Sequence, residues 1–442
     1  MEITQNLTAD ELFELASNPE LLENFVKTTR IKHNLNLDLI KIEHDCLLQL
    51  KKNKAKNTKI SVGILIYHRA HWAMDSVYQE LVKSGFDVKI IITPAMEIEE
   101  SLREQEIEDN YNFFKNLGYN VIRGYDYKTN TSYDIEKNLP DIIFYQTHWM
   151  WDYPQEYDIK NFYNKALCIS IPYGPFVAAI QQEQFNQEFH NLVWLNCAEN
   201  IVAQEMAEKY AYNCGTNVKL TGYPKMDYIL DGKITHNDWK TNNLKRIIWA
   251  PHYSINTGHN INYANFHIYY EKFFDFLKDN KNIEMIMKPH PMLKSRCVQT
   301  GTLTEEGYEN YVNAWNNLTN GSCVTRGNYL DLFKTSDAMI LDSLGFISEY
   351  LYTKKPICFI NKFINKEELL THFNEFGQMA IQQCYIAQSW KDIENFVNEV
   401  VIGGNDYMKS QREEFYSKYL SINEGCAGKA IVDYIKTQLG IE

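Results

Sequence analysis

The 442-residue chain reads as an α/β protein in which two parallel-sheet domains face one cleft. Three observations predict this. Apolar runs of strand length alternate with helical stretches, the β-α-β rhythm of parallel sheets. The rhythm occurs twice, on either side of a polar stretch, KITHNDWKTNNLK, at residues 233–245. The length suffices for two ordinary domains with helical additions.

Residues 1–58 read as a helical N-terminal extension. Thr8 followed by Glu11 is a capping-box start, and Leu12, Phe13, Leu15, Leu21, Leu22, Phe25 and Val26 recur near helical spacing. Its end carries Lys51, Lys52, Lys54 and Lys56, either a solvated helix end or a foothold on an anionic membrane surface. The first sheet domain, residues 59–232, opens with a strand at Ile60–Tyr67, a helix near Met74–Ser84 ending at Gly85, and a strand at Val88–Ile92. Asp141–Tyr145 and Leu167–Ile171 are runs of buried-strand type. The second domain, residues 245–420, offers strands at Ile247–Ala250, Ile283–Met287, Ala338–Leu341 and Ile357–Ile360. Helices are predicted near Tyr269–Asp279 and Phe346–Tyr352, and helical pattern returns over 392–401 and 405–439, with 421–442 as a closing C-terminal helix. Two Rossmann-like domains of this kind predict a GT-B-like arrangement with substrates between the halves.

Composition narrows the function. A hydrophobic fraction of 45% and a charged fraction of 23% are those of a globular protein. With 44 basic and 57 acidic residues the formal charge is −13, which argues against nucleic acid as a partner. An anionic small molecule needs only a local cationic pocket. The nine cysteines are scattered without a C-x-x-C pair, so the expectation is a reducing cytoplasm, without zinc or a disulfide framework. The start, MEITQNLTADELFEL, lacks the basic and apolar regions of a signal peptide, and the longest apolar runs are strand-sized. A cytoplasmic protein is expected.

Chemistry concentrates after the strands. Ile283–Met287 delivers Lys288 and His290 to the carboxyl end of a parallel strand, and Pro289 and Pro291 stiffen the turn. Cation and imidazole together suit the bridging and leaving oxygens of a diphosphate donor. Ala338–Leu341 ends in Asp342-Ser343 before a helix near Gly345; Asp342 or Ser343 can cap it, leaving N–H groups for an anion. Glu349, one turn further, can take two ribose hydroxyls. His252 follows the Trp249-Ala250-Pro251 strand end and reads equally as a cleft residue or a buried structural one. On the first half, Gln146-Thr147-His148-Trp149 and Pro172-Tyr173-Gly174 also follow strands, and Gly174 permits close approach. Trp149, Trp151, Tyr153 and Tyr157 form an aromatic cluster that is either core or a hold for an extended acceptor, and His68 and His71 follow the first strand. No D-x-D pair sits on a strand-end loop, so no metal and no cofactor are expected.

Together WAPH (Trp249–His252), KPHP (Lys288–Pro291), Thr335–Pro356, IPYG (Ile171–Gly174) and TGYPKMD (Thr221–Asp227) resemble the CDP-glycerol glycerophosphotransferase family of teichoic-acid and capsule polymer biosynthesis. The resemblance implies a bacterial, GT-B-like transferase whose C-terminal half holds a CDP-alcohol donor, through His252, Lys288, His290, Asp342, Ser343, Gly345 and Glu349. It places a glycan or lipid-linked acceptor on the N-terminal half, near His68, Trp149 and Gly174, with peripheral contact at the inner membrane face. The reaction implied is phosphodiester formation with release of CMP. The teichoic-acid polymerases of the family carry a His-Gly, the proposed base, where this chain has Tyr173-Gly174, and paired serines where it has Ser343-Leu344. An ordinary tyrosine titrates near pH ~10, a poor base at neutrality, so His148 is the substitute expected beside Tyr173. The competing readings are a GT-B glycosyltransferase with a nucleotide-sugar donor and a non-catalytic nucleotide-binding subunit of a polymer-assembly complex.

Overall fold

In the computed structural model, residues 19–256, 262–325, 329–363 and 366–441 are described. The Thr8–Glu11 capping box lies outside them. The extension is one long helix, Pro19–Ala55. Asp141 fixes its end to the first sheet: Lys51 and Lys54 pair with the carboxylate at 2.9 and 2.6 Å, and the Ser61 N–H and hydroxyl donate to it at 3.0 and 2.8 Å. Burial alone would raise the Asp141 pKa, but these four donors hold it at about 2. Lys51 and Lys54 therefore serve the fold as internal ion pairs.

The first sheet contains β1 (Ser61–Ile66), β2 (Asp87–Ile92), β3 (Val121–Arg123), β6 (Ile142–Tyr145), β7 (Leu167–Ser170), β8 (Leu195–Ala198) and β9 (Val218–Leu220). A small antiparallel hairpin, β4 (Tyr125–Asp126) with β5 (Thr131–Ser132), stands apart from it. Strand order is β3-β2-β1-β6-β7-β8-β9. The second sheet contains β10 (Lys245–Ala250), β11 (Ile283–Met287), β12 (Gly321–Cys323), β13 (Ala338–Leu341), β14 (Ile357–Ile360) and β15 (Tyr385–Ala387), in the order β12-β11-β10-β13-β14-β15. Every pairing within both sheets is parallel. The central strands are buried on both faces, which is why they read as unbroken apolar runs. Strand order reverses between β1 and β6 and again between β10 and β13. At such points the loops diverge and leave a crevice at the carboxyl ends.

The halves share a core in which Ala198, Met206, Tyr223 and Met226 pack with Ile248, Leu341, Ile347 and Phe376. The last helix, Ala427–Leu439, crosses back: Ile431, Val432, Ile435 and Leu439 belong to the core of the first half. Asp227 ties that return down. It accepts from the Ala427 and Gly428 N–H groups at 3.0 and 2.9 Å and from the Ser76 hydroxyl at 2.7 Å. Gly222, five residues before, holds φ 79°. A Cβ there would stand 2.2 Å from the Ile422 carbonyl oxygen, so only glycine fits.

One ion pair spans the halves out of water. Lys225 Nζ meets Glu349 Oε1 at 2.9 Å, with side chains 7% and 5% exposed. Removing one partner of such a pair strands a buried charge, while removing both does not. Lys225→Met and Glu349→Leu are each expected to lower unfolding free energy by roughly 3–5 kcal/mol, and the double variant by clearly less than the sum. Urea denaturation of the four proteins measures this; strict additivity would show that the two residues do not sense each other.

Candidate active site

Three loops of the second half leave adjacent strands at one level. Trp249 pairs with Met287 of β11 and Ile340 of β13, and Ala250 with Leu341, so Pro251, Lys288 and Asp342 emerge side by side. Backbone bonds carry the β10–β11 pairing outward: the Lys288 N–H donates to Trp249 O at 2.7 Å and the His290 N–H to Pro251 O at 3.1 Å. Asp342 staples the third loop. Its carboxylate accepts from the His252 N–H at 2.6 Å and from the Asn265 backbone and side-chain N–H groups. Burial raises its pKa to about 6 against these bonds. The expected helix cap is therefore not formed. Asp342 turns to backbone N–H groups of a neighbouring loop that nothing else satisfies, and Ser343 makes no side-chain bond to the Leu344–Tyr350 helix it precedes. Gly345, in the first turn, has open space where a Cβ would stand.

The two histidines on this edge are fixed in the same tautomer. His290 Nδ1 accepts from the Met292 N–H at 3.2 Å, which places the ring proton on Nε2. Ser254 Oγ accepts from the Tyr263 and Ala264 N–H groups, so its own proton goes to His252 Nδ1, 2.8 Å away, and His252 also carries Nε2–H. The rings lie edge to face with centroids 5.1 Å apart. Burial lowers both pKa values, to about 3 for His252 and about 4 for His290, each with a neighbouring cation or ring assisting. Both are thus neutral hydrogen-bond donors near pH 7. Lys288 is buried beside them, its pKa lowered by desolvation, with Thr325 O at 3.4 Å the one hydrogen-bond acceptor of its Nζ among the described residues. An under-satisfied ammonium and two N–H donors on one sheet edge can take phosphate oxygens.

Across the cleft, the Tyr173–Gly174 turn lies against the second half. Tyr173 O accepts from the Tyr223 hydroxyl and from Lys225 Nζ at 3.3 Å. A Cβ on Gly174 would stand 3.7 Å from Glu349 Oε1, so the close approach expected of this glycine is to protein. Glu349 differs from expectation. Oε1 is taken by Lys225 and, at 3.0 Å, lies within reach of the Tyr223 hydroxyl, whose one proton is shared with Tyr173 O, and Oε2 accepts from the Tyr329 hydroxyl at 2.6 Å. Its carboxylate faces the first half, which supplies a lysine, and both oxygens are engaged by protein donors.

The first-half candidates separate into distinct environments. His68 is held between Glu106 (2.7 Å) and Glu97 (2.8 Å). Burial opposes its charge, yet the two carboxylates raise its pKa to about 9, so both ring nitrogens are committed and none is left for an acceptor. His148 is buried among Trp149, Phe176 and His190. Desolvation holds its pKa well below the ordinary value, and its Nε2 has no hydrogen-bond partner. It lines a cavity of about 30 Å³ with Thr147, Gln184, His190 and Glu199, room for a water or two. Tyr173 has its pKa raised by burial, so the phenol stays protonated. Its ring lies 4.4 Å from that of His71, whose Nδ1 is also buried without a partner. Tyr153 and Tyr157 are core, whereas Trp149 is half-buried and Trp151 exposed. Among the described residues, no group of three or more His, Cys, Asp or Glu side chains is placed to hold a metal. Lys225 and Tyr223 were not singled out from sequence, although the TGYPKMD segment that carries them was.

A family model described as CDP-Glycerol:Poly(glycerophosphate) glycerophosphotransferase matches residues 165–437. Comparison with curated proteins finds no significant match. Among solved structures, the wall teichoic acid polymerase TagF is similar at TM-score 0.56 and 15% identity, over 92% of this chain and 98% of that one. The S. aureus MnaA–UDP co-structure is similar at TM-score 0.57 and 13% identity, over 87% and 98%. UDP-GlcNAc 2-epimerase from Neisseria meningitidis, bound to UDP-GlcNAc, follows at 0.52 and 14%, over 86% and 100%. At these identities the structural neighbours speak for the GT-B-like fold alone. The family match spans more than half of the chain and takes in Tyr173, Lys225, His252, Lys288, His290, Asp342 and Glu349: the chain belongs to the CDP-glycerol:poly(glycerophosphate) glycerophosphotransferase family.

Proposed function

We propose that this chain transfers a polyol phosphate, glycerol phosphate or a close relative, from a CDP-activated donor to a glycan or lipid-linked acceptor during assembly of a cell-surface polymer. The observation that carries the reading is the edge where His252 and His290 each hold an Nε2–H beside the buried Lys288 ammonium, in a chain of this family. In the reaction proposed, an acceptor hydroxyl attacks the phosphorus that bears the polyol. A P–O bond forms to the acceptor, the bond from that phosphorus to the bridging oxygen breaks, and CMP leaves with the electron pair. Charge grows on the bridging oxygen and its neighbours, where two preorganised N–H donors and an ammonium are worth most. Transfer of this kind proceeds through a loose transition state, so positioning and electrostatics carry more of the catalysis than strong base assistance does.

The hydroxyl proton goes, in this proposal, to His148 by way of a water in the small cavity that it lines. Backbone O of Glu183 engages its ring N–H, and Nε2 keeps a bare lone pair. Tyr173, protonated and against the cleft, orients the acceptor. No helix among the described residues is long and apolar enough to cross a membrane. Contact with the inner membrane face would then be peripheral, and Leu39, Ile42 and Leu50, exposed along one side of the long helix, suit that role.

A screen of nucleotide-activated donors read by mass spectrometry is expected to show release of CMP with a CDP-polyol. Release of a nucleoside diphosphate with sugar donors would instead make the chain a glycosyltransferase. His290→Ala is expected to cut turnover about 10²–10³-fold with donor affinity little changed, the loss typical of one transition-state donor. His148→Gln is expected to cost about 10²–10⁴, partly restored at high pH where hydroxide replaces the base. Near-normal turnover in His148→Gln, with His148→Ala merely unstable, would assign His148 to packing.

A further inference from the structure

Trp149 and Trp151 leave the carboxyl end of β6 on the half of the cleft given to the acceptor. Of the four aromatic residues in this segment only these two reach solvent: Tyr153 and Tyr157 are 4% and 0% exposed, Trp151 is 64% exposed and Trp149 is half-buried. The indoles lie 4.8 Å apart between centroids with planes tilted 38°, too close to lie edge to edge, so they pack as a tilted pair whose outer surface, at Trp151, faces water. Its inner end is anchored. Trp149 packs on His148 at 3.9 Å and reaches the Tyr173 hydroxyl, and its backbone N–H donates to Thr147 Oγ1 at 3.2 Å. The pair therefore runs from solvent to the Tyr173–Gly174 turn, where the two halves meet. Trp151 is carried on an ordered turn, Met150–Asp152, yet most of its ring faces water, which core packing does not call for.

The charges around the pair select the ligand. From 148 to 160 the chain holds Asp152, Glu156 and Asp158 against one cation, Lys160, which Glu188 pairs at 2.7 Å. Glu97 and Glu106 stand nearby with the protonated His68 between them, one net negative charge, and the Met96 N–H donates to Asp152 O, which brings that loop against the same turn. A polyanionic chain of polyol phosphates is repelled here, while a neutral sugar is not. A pyranose ring offers an apolar C–H face to an indole and hydroxyls to carboxylates. We propose that Trp149 and Trp151 form an acceptor platform that takes a neutral pyranose ring, so that the acceptor presents a saccharide rather than a polyol-phosphate chain to the site. The proposal rests on the reading that the first half binds the acceptor. Both tryptophans lie outside the segment matched by the family model.

The test uses the full chain and its Trp151→Ala and Trp151→Tyr variants against an array of neutral oligosaccharides and an oligomer of glycerol phosphate, with CDP affinity titrated in parallel. Because Trp151 is exposed, neither variant is expected to change the melting temperature. The full chain is expected to hold at least one neutral glycan, Trp151→Ala to weaken it about tenfold, and Trp151→Tyr to stay within about threefold. CDP affinity should be the same in all three. Binding of the glycerol phosphate oligomer but of no neutral glycan would overturn the proposal, as would glycan binding indifferent to Trp151→Ala. Loss of a glycan in Trp151→Ala from a chain that never binds CDP would uphold the platform and remove the donor reading instead.

Discussion

Lys225 and Glu349 face each other away from water, one from each half, and much else in the cleft is arranged around them. Two charges taken out of water are costly unless their remaining bonding capacity is met. Here Lys225 also donates to Tyr173 O and lies 5.0 Å over the Tyr329 ring, while Glu349 accepts from the Tyr223 and Tyr329 hydroxyls. The network fixes the Tyr173–Gly174 turn of the first half against the Leu344–Tyr350 helix of the second. Displacement of one half along the other would break the two bonds that cross, from Lys225 and from the Tyr223 hydroxyl to Glu349, and part a buried ammonium from its carboxylate. The pair thus restricts how the two sheets can meet more tightly than apolar packing alone would.

Given that joint, the family segments divide by what their atoms do. Asp227 anchors the returning C-terminal helix, Asp342 staples the His252 loop to Asn265, and Glu349 closes on Lys225. These carboxylates spend their lone pairs on the protein. His252, His290 and Lys288 are different, because the protein settles one side of each imidazole and leaves the lysine under-satisfied. Acidic residues in the motifs hold the geometry, and the basic ones keep donors to spare.

Legibility in the sequence followed burial. β1, β2, β10, β11, β13 and β14 sit inside their sheets or beside the centre, and each is an apolar run that reads directly as a strand. The edge strands β3, β9, β12 and β15 have three residues each, with sequences such as Val-Lys-Leu and Gly-Ser-Cys that carry no period to read. β8 escaped for another reason: Asn196 interrupts it. In the site, His252, Lys288 and His290 were legible because a strand delivers each to a sheet edge. The tasks of Glu349 and Asp342 were not. Their partners lie 124 and 90 residues away in the chain, and for Asp342 the partner is a backbone N–H, which has no signature in a sequence. His68 misled for the same reason, since Glu97 and Glu106 clamp it only in three dimensions.

We propose that the neutral His252–His290 pair and Lys288 form the phosphate end of a nucleotide site at the carboxyl edge of the second sheet. A crystal structure of the chain with CDP tests it most directly. The expected result is diphosphate oxygens within hydrogen-bonding distance of His252 Nε2 and His290 Nε2, with the nucleotide held by the second half. A nucleotide bound wholly by residues 60–230, with both imidazoles untouched, would contradict it.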